Sequence, residues 1–148
     1  MFIFPKEINK LVRLGSRVNV ECVFTAVALG TNYALGSMFP HLRPFMVGLS
    51  PNYLGHAAEN SFPSDHATMM WVVAFAFFLN TKLRIYGWAA VALATLTSWA
   101  RVFLGVHFPF DILGSIMVAA FTLAGMQLLR PWIERAVLAL TIQAGISI

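Results

Sequence analysis

Four stretches of the chain are apolar at nearly every position, and polar residues collect in the gaps between them: residues 18–39, 64–80, 85–106 and 108–129. Each is long enough to read as a membrane span, which takes roughly 20 residues. In lipid such a segment must be helical, because its backbone groups can be satisfied only internally. The tail, residues 132–148, carries Glu134 and Arg135 ahead of a short apolar run and reads as an interfacial or bundle-packed helix. The pattern predicts an all-α polytopic membrane bundle of about four spanning helices with a short C-terminal helix.

Composition agrees with that pattern. The chain is 59% hydrophobic and 11% charged, with a mean hydropathy of +0.74, whereas soluble domains are about one quarter charged. A length of 148 residues fits one bundle and no second unit, so a single membrane-embedded domain is expected over 1–148. Reading the start as a cleavable leader would need a basic region running to Arg17 and an apolar core holding Glu21 and Asn32, without a clean small-residue cleavage site. The first segment is therefore read as a span. Cys22 stands alone, with no partner for a disulfide or a metal site, and is expected as a small core residue. Asn32 is expected to hydrogen-bond between helices, and Glu21 to lie near the inner headgroups.

Charge then orients the bundle. Lys6, Lys10, Arg13 and Arg17 precede the first span, Lys82 and Arg84 separate the second and third, and Arg130 and Arg135 follow the fourth. All fall on one side, which the positive-inside rule makes cytoplasmic. Arg43 and Arg101 are the basic residues on the other side. That outer side also holds His41, His56 and Glu59 in the loop 40–63, Ser64, Asp65 and His66 at the start of the second span, and His107 and Asp111 where the third meets the fourth. The basic residues form no dense stripe apart from the membrane topology, which argues against a nucleic-acid partner.

These outer groups suit phosphate chemistry. His107 and Asp111 are four apart, so in a helix starting near Phe108 they share a face. Pro109 fits only a first turn and fixes the helix start there. A carboxylate on one imidazole nitrogen leaves the other with a free lone pair, as a nucleophile or base requires. Pro63 and Ser64 likewise suit a helix start, whose free N–H groups and positive dipole end attract anions. The guanidinium groups of Arg43 and Arg101 suit bidentate phosphate recognition, with His66 beside them as a proton donor. Taken singly, an interfacial arginine often only snorkels to headgroups, and a helix-end histidine only satisfies carbonyls. The coincidence of the four outweighs those readings. His41, His56 and Glu59 are left as solvated loop residues.

Arg43-Pro44, then "SFPSDHAT" with Pro63-Ser64-Asp65-His66, then "RVFLGVHFPFDILGS" with Arg101, His107 and Asp111, resemble the three motifs of the type-2 phosphatidic acid phosphatase superfamily, which includes the vanadium haloperoxidases. Over Arg43 to about Gly114 the chain is most similar to the bacterial bacitracin-resistance type undecaprenyl-diphosphate phosphatases. The resemblance implies that His107 attacks phosphorus and forms a phosphohistidine, Asp111 orients it, and His66 protonates the leaving oxygen. It also implies that Arg43, Arg101, Ser64 and nearby backbone N–H groups, including that of Asp65, hold the phosphoryl oxygens, with no metal or other cofactor. Cations and a helix dipole would then do the work of magnesium.

The chain departs from the wider family at three places. Gly36 stands where a lysine is usual seven residues before the first arginine, Ala100 where a serine precedes the second, and Asp65 where a glycine precedes the first histidine. Asp65 is expected to point away from phosphate or to pair with an arginine. The family's additional N-terminal helices are expected to be missing from this chain, and a homo-oligomer is then expected as the way to complete the bundle wall. The expected function is outward-facing hydrolysis of undecaprenyl diphosphate, or a related lipid diphosphate, in the bacterial inner membrane. Phosphatidic acid, phosphatidylglycerophosphate or lipid A as substrate stays open, as does a non-catalytic lipid-binding subunit.

Overall fold

The computed structural model describes residues 6–79 and 83–143, with side chains placed for most of 22–136. Four helices and one short 3-10 turn make up its regular structure: α1 (Lys6–Met38), η1 (Pro44–Val47), α2 (Asp65–Leu79), α3 (Arg84–Phe103) and α4 (Pro109–Gln143). They run up and down, so the ends of α1 and α3 and the starts of α2 and α4 lie at one end of the bundle. That end holds every outer group picked out above. Arg84 and Arg135 belong to the opposite end. The side chains of Lys6, Lys10, Arg13, Arg17, Glu21, Lys82 and Arg130 lie outside the described residues.

Among the described residues one stretch, Pro109–Leu129, is long and apolar enough to cross a membrane by itself, while Cys22–Met38 and Asp65–Leu79 are shorter apolar helices. At 1.5 Å per residue, α1 as a whole is about 50 Å long. The helices turn large apolar side chains outward: Trp88, Leu96, Trp99 and Phe103 on α3, and Phe110, Met117, Phe121 and Leu128 on α4, are exposed. Such a surface suits lipid rather than water. Cys22 is exposed as well, so it is an outward-facing residue and not the core residue expected.

α2 is the central element and packs against α1, α3 and α4. Toward α3 the fit comes from small side chains. Gly87, Ala90, Ala94 and Ser98 are the buried positions of α3, spaced three or four apart; Ala90 and Ala94 meet Ala74 of α2 with Met70, Trp71 and Phe77 around them, and Gly87 lies against Phe78. Small residues at that spacing let helix backbones approach closely. On the other side Phe24 and Ala28 of α1, Val72 of α2, and Val118, Ala119, Leu123 and Met126 of α4 form the main apolar core.

Polar latches pin α2 near its upper end. Asn32 of α1 donates from Nδ2 to Asp65 Oδ1 at 2.8 Å and to Thr68 Oγ1 at 2.9 Å, which is the interhelical role expected of Asn32. Ser115 of α4 takes the Ser64 N–H at 2.9 Å, and Trp71 donates to Ser98 of α3 at 3.2 Å.

Three boundaries differ from the sequence reading, the first being the start of α1 at Lys6 rather than near Val18. The third helix stops at Phe103 rather than near Val106, because Gly105 turns left-handed at φ 66° and closes a Schellman motif. Gly105 N–H bonds to the Val102 carbonyl at 3.0 Å, and Val106 N–H to the Arg101 carbonyl at 3.1 Å. The tail expected as a separate short helix instead prolongs α4, with Pro131 inside it. Proline is tolerated inside helices at membrane depth, where neighbouring groups re-satisfy the freed carbonyl.

Candidate active site

The α3–α4 corner places His107. After Gly105 the chain turns, and Pro109 occupies the first position of α4, where its missing N–H costs nothing. Asp111 then reaches back to accept the Phe108 N–H at 2.7 Å, the carboxylate half of a capping box. No alanine fits at 105: its Cβ would collide with the Ser50 side chain, whose hydroxyl donates to the Gly105 carbonyl at 2.9 Å.

His107 is buried and fully oriented. Its Nδ1 lies 2.9 Å from the Ser61 carbonyl, 3.4 Å from the Ser61 hydroxyl and 3.6 Å from Asp111 Oδ2. A carbonyl can only accept, so Nδ1 carries the proton and Nε2 keeps the lone pair. Nε2 faces Arg43 Nη1 at 3.5 Å. Sequence reasoning assigned the orientation to Asp111 alone; the shorter bond is to Ser61, a residue it did not single out. Ser61 is fully buried, and its hydroxyl donates to Asp111 Oδ2. Its own N–H goes to the His41 carbonyl at 2.7 Å. Nothing local in the sequence marks Ser61, since each of these bonds spans 20 to 50 residues.

The loop 40–63, whose His41, His56 and Glu59 are expected to be solvated, lies against this corner, with His41 and Glu59 exposed. His41 Nδ1 lies 3.3 Å from Asp111 Oδ1, with its ring against Phe108 at 5.1 Å between centroids, although 47% of its side chain stays exposed. His56 accepts from Arg101 Nη1 at 3.2 Å. The Glu59 carbonyl accepts from Arg43 Nε at 3.2 Å. The two histidines are thus part of the cluster rather than solvated bystanders. Burial, and then the charges of Arg43 and Arg101, lower the pKa of His56 below the ordinary imidazole value.

Arg43 is 8% exposed and also donates to the Val106 carbonyl at 3.4 Å. Among the described residues no carboxylate lies within ion-pair distance of Arg43 or Arg101; the ion pairs present join His41 and His107 to Asp111. Two guanidinium groups without carboxylate partners beside an imidazole form a ready anion site.

The start of α2 supplies the remaining groups. Ser64 caps α2 through its carbonyl, which takes the Thr68 N–H at 2.9 Å. Its buried hydroxyl has no partner among the described residues, so it does not serve as a side-chain cap. The first N–H groups of α2 are likewise left over by the helix itself. The Asp65 side chain is turned to Asn32, not to an arginine, so any part Asp65 plays in anion binding falls to its backbone. His66 is exposed at the same end, within electrostatic reach of Arg101, Asp65, His56 and His107.

Gly36 has a packing reason. Its position faces the loop carrying Ser61: a Cβ there would meet the Phe62 carbonyl at 3.0 Å, and Asn60 donates to the Gly36 carbonyl at 2.8 Å. Gly36 thus seats the backbone next to Ser61, whose carbonyl orients His107. Among the described residues, no three His, Cys, Asp or Glu side chains are grouped to hold a metal ion.

A buried imidazole of fixed tautomer, two guanidinium groups without carboxylate partners, a buried hydroxyl without a partner among the described residues and a helix start are grouped at one end of an all-helical bundle, an arrangement that suits a phosphoryl-type anion. The PAP2 superfamily profile matches residues 20–135, and the chain belongs to that superfamily. It is 44% identical over 92 residues to the Escherichia coli K12 protein named "Putative undecaprenyl-diphosphatase YbjG", covering 62% of this chain and 46% of that one. It is 35% identical over 111 residues to undecaprenyl-diphosphatase BcrC of Bacillus subtilis, covering 72% of this chain and 56% of that one. The chain thus spans about half the length of these curated relatives. A Bacillus subtilis transmembrane PAP2 type phosphatidylglycerolphosphate phosphatase shares the fold, with a TM-score of 0.59 at 23% identity over 76% of this chain and 58% of that structure.

Proposed function

We propose that this chain is a membrane lipid-phosphate phosphatase of the PAP2 superfamily that hydrolyses undecaprenyl diphosphate, or a closely related lipid diphosphate, to the monophosphate. The observation that carries the reading is the tautomer of His107: the Ser61 carbonyl holds the proton on Nδ1, and the lone pair of Nε2 faces the cation of Arg43. The names of the relatives at 35% and 44% identity support the substrate class. A single membrane-embedded domain with the site facing outward is the topology that goes with it.

In the proposed reaction, Nε2 of His107 attacks the terminal phosphorus. The bond from phosphorus to the bridging oxygen breaks, and His66 protonates that oxygen on the departing lipid monophosphate. Asp111 stabilises the imidazolium that forms. Arg43, Arg101, the Ser64 hydroxyl and the first N–H groups of α2 hold the phosphoryl oxygens as charge shifts onto them. Water then gives a proton to His66, attacks phosphorus and breaks the P–N bond, releasing inorganic phosphate and restoring the neutral imidazole. No step calls for a metal ion.

The test is phosphate release from undecaprenyl diphosphate in detergent with excess EDTA, comparing wild type with His107→Ala. Release that survives EDTA and disappears in the variant is expected. No release from any of undecaprenyl diphosphate, phosphatidic acid or phosphatidylglycerophosphate by a folded wild type would replace this reading with a lipid-binding role.

A further inference from the structure

The 50–60 loop carries an imidazole that the proposed reaction does not use. Asn52 and His56 clip the loop onto itself: the His56 N–H bonds to Asn52 Oδ1 and Asn52 Nδ2 to the His56 carbonyl, each at 2.9 Å. Gly55, at φ 60°, makes the turn between them. The clip delivers the His56 ring to Arg101, whose Nη1 lies 3.2 Å from Nε2. A guanidinium only donates, so Nε2 accepts and the proton of the neutral ring is on Nδ1. No described hydrogen bond uses that Nδ1–H.

We propose that His56 determines specificity for a diphosphate: together with Arg101 it takes the second phosphate, the one that leaves with the lipid. The inference rests on the phosphatase reading of His107. The attacked phosphoryl must lie at Nε2 of His107, beside Arg43. Arg101, which also holds that phosphoryl in the proposed reaction, turns Nη1 to the loop, so the Arg101–His56 pair carries hydrogen-bond donors from the attacked phosphoryl toward the loop. A monophosphate ester offers only its ester oxygen there; a diphosphate offers a second anionic group. The neutral ring can donate Nδ1–H to it.

A second phosphate also favours proton uptake from solvent. A doubly protonated His56 no longer accepts from Arg101, so both side chains become donors to the phosphate. The other charges that bear on this ring are Arg43 at the loop start, His107 at the α3–α4 corner, His66 on α2 and Glu59 on its own loop. Arg43 and Arg101 oppose its protonation until the second phosphate offsets them.

The experiment compares farnesyl diphosphate with farnesyl monophosphate, which share a tail, in detergent with excess EDTA. His56→Ala should lower the diphosphate-to-monophosphate ratio of kcat/KM about tenfold, the scale of one charge-assisted hydrogen bond. An equal loss on both substrates would mean that His56 only props Arg101, and would overturn the proposal. His56→Gln keeps an acceptor for Arg101 and a donor but cannot take a proton. Its diphosphate KM should rise less with pH than that of wild type across about pH 5.5–8, the part common to both coming from His66 and the substrate's own phosphate; parallel profiles also count against the proposal. Absence of His107-dependent release from either substrate in wild type would instead remove the phosphatase reading itself.

Discussion

Replacing Asp111 by asparagine separates two jobs that one carboxylate performs in Ser-His-Asp triads. There the carboxylate both sets the histidine tautomer and stabilises the imidazolium, and its conversion to the amide costs about 10⁴-fold. In this protein the Ser61 carbonyl holds the His107 Nδ1 proton at 2.9 Å, so Asp111→Asn should leave the tautomer intact and remove only the charge. The amide oxygen can still accept from Phe108 and Ser61, with its nitrogen toward His41. At the 3.6 Å separation of Nδ1 and Oδ2, a full charge pair at an effective dielectric near 20 is worth about 4–5 kcal/mol. The developing imidazolium carries part of a charge in the transition state, which leaves about 3–4 kcal/mol, or 10²–10³-fold in rate. The assay is single-turnover formation of base-stable phosphohistidine from terminally radiolabelled lipid diphosphate, quenched in alkali, with thermal denaturation as a check on folding. A loss under about threefold would remove Asp111 as the electrostatic partner of His107. A loss of 10⁴-fold or more would mean that the Ser61 carbonyl does not set the tautomer.

Gly105→Ala should destabilise the fold by about 1–2 kcal/mol from its left-handed backbone alone, and by more because the added Cβ meets Ser50; an unchanged Tm would show that the α3–α4 corner is not held as described. His56 has its pKa lowered from 6.5 in the folded chain, first by burial and then by Arg43 and Arg101. The unfolded chain therefore binds more protons below about pH 6.5, and stability is lost as pH falls through that value. The Tm of wild type should drop more steeply from about pH 7 to 5 than that of His56→Gln, and parallel slopes would refute the effect. For topology, a Cys22→Ser, Tyr53→Cys protein places its thiol at a highly exposed loop position. It should react with an impermeant maleimide on intact cells; labelling only after permeabilisation would reverse the proposed orientation.

What the sequence determined by itself was local. Pro109 two residues before Asp111, and His107 four before it, placed the start of α4 and the shared face of the pair, because helix geometry fixes neighbours three and four apart. The Pro-Ser-Asp-His stretch likewise placed the start of α2, and the long apolar runs placed the helices. What only the tertiary structure decided depends on how the 40–63 loop closes. Ser61 became the hydrogen-bond partner of His107 and Asp111, His41 and His56 gained bonds to Asp111 and Arg101, and the Ser64 hydroxyl was left without a partner among the described residues. Gly36 changed in meaning as well: the position that reads as a missing cation is where the backbone before α2 packs on α1. These contacts join residues far apart in the chain, and hydrophobic periodicity carries no record of such pairs. It reports which face of a helix is buried, not which loop atom will meet an imidazole.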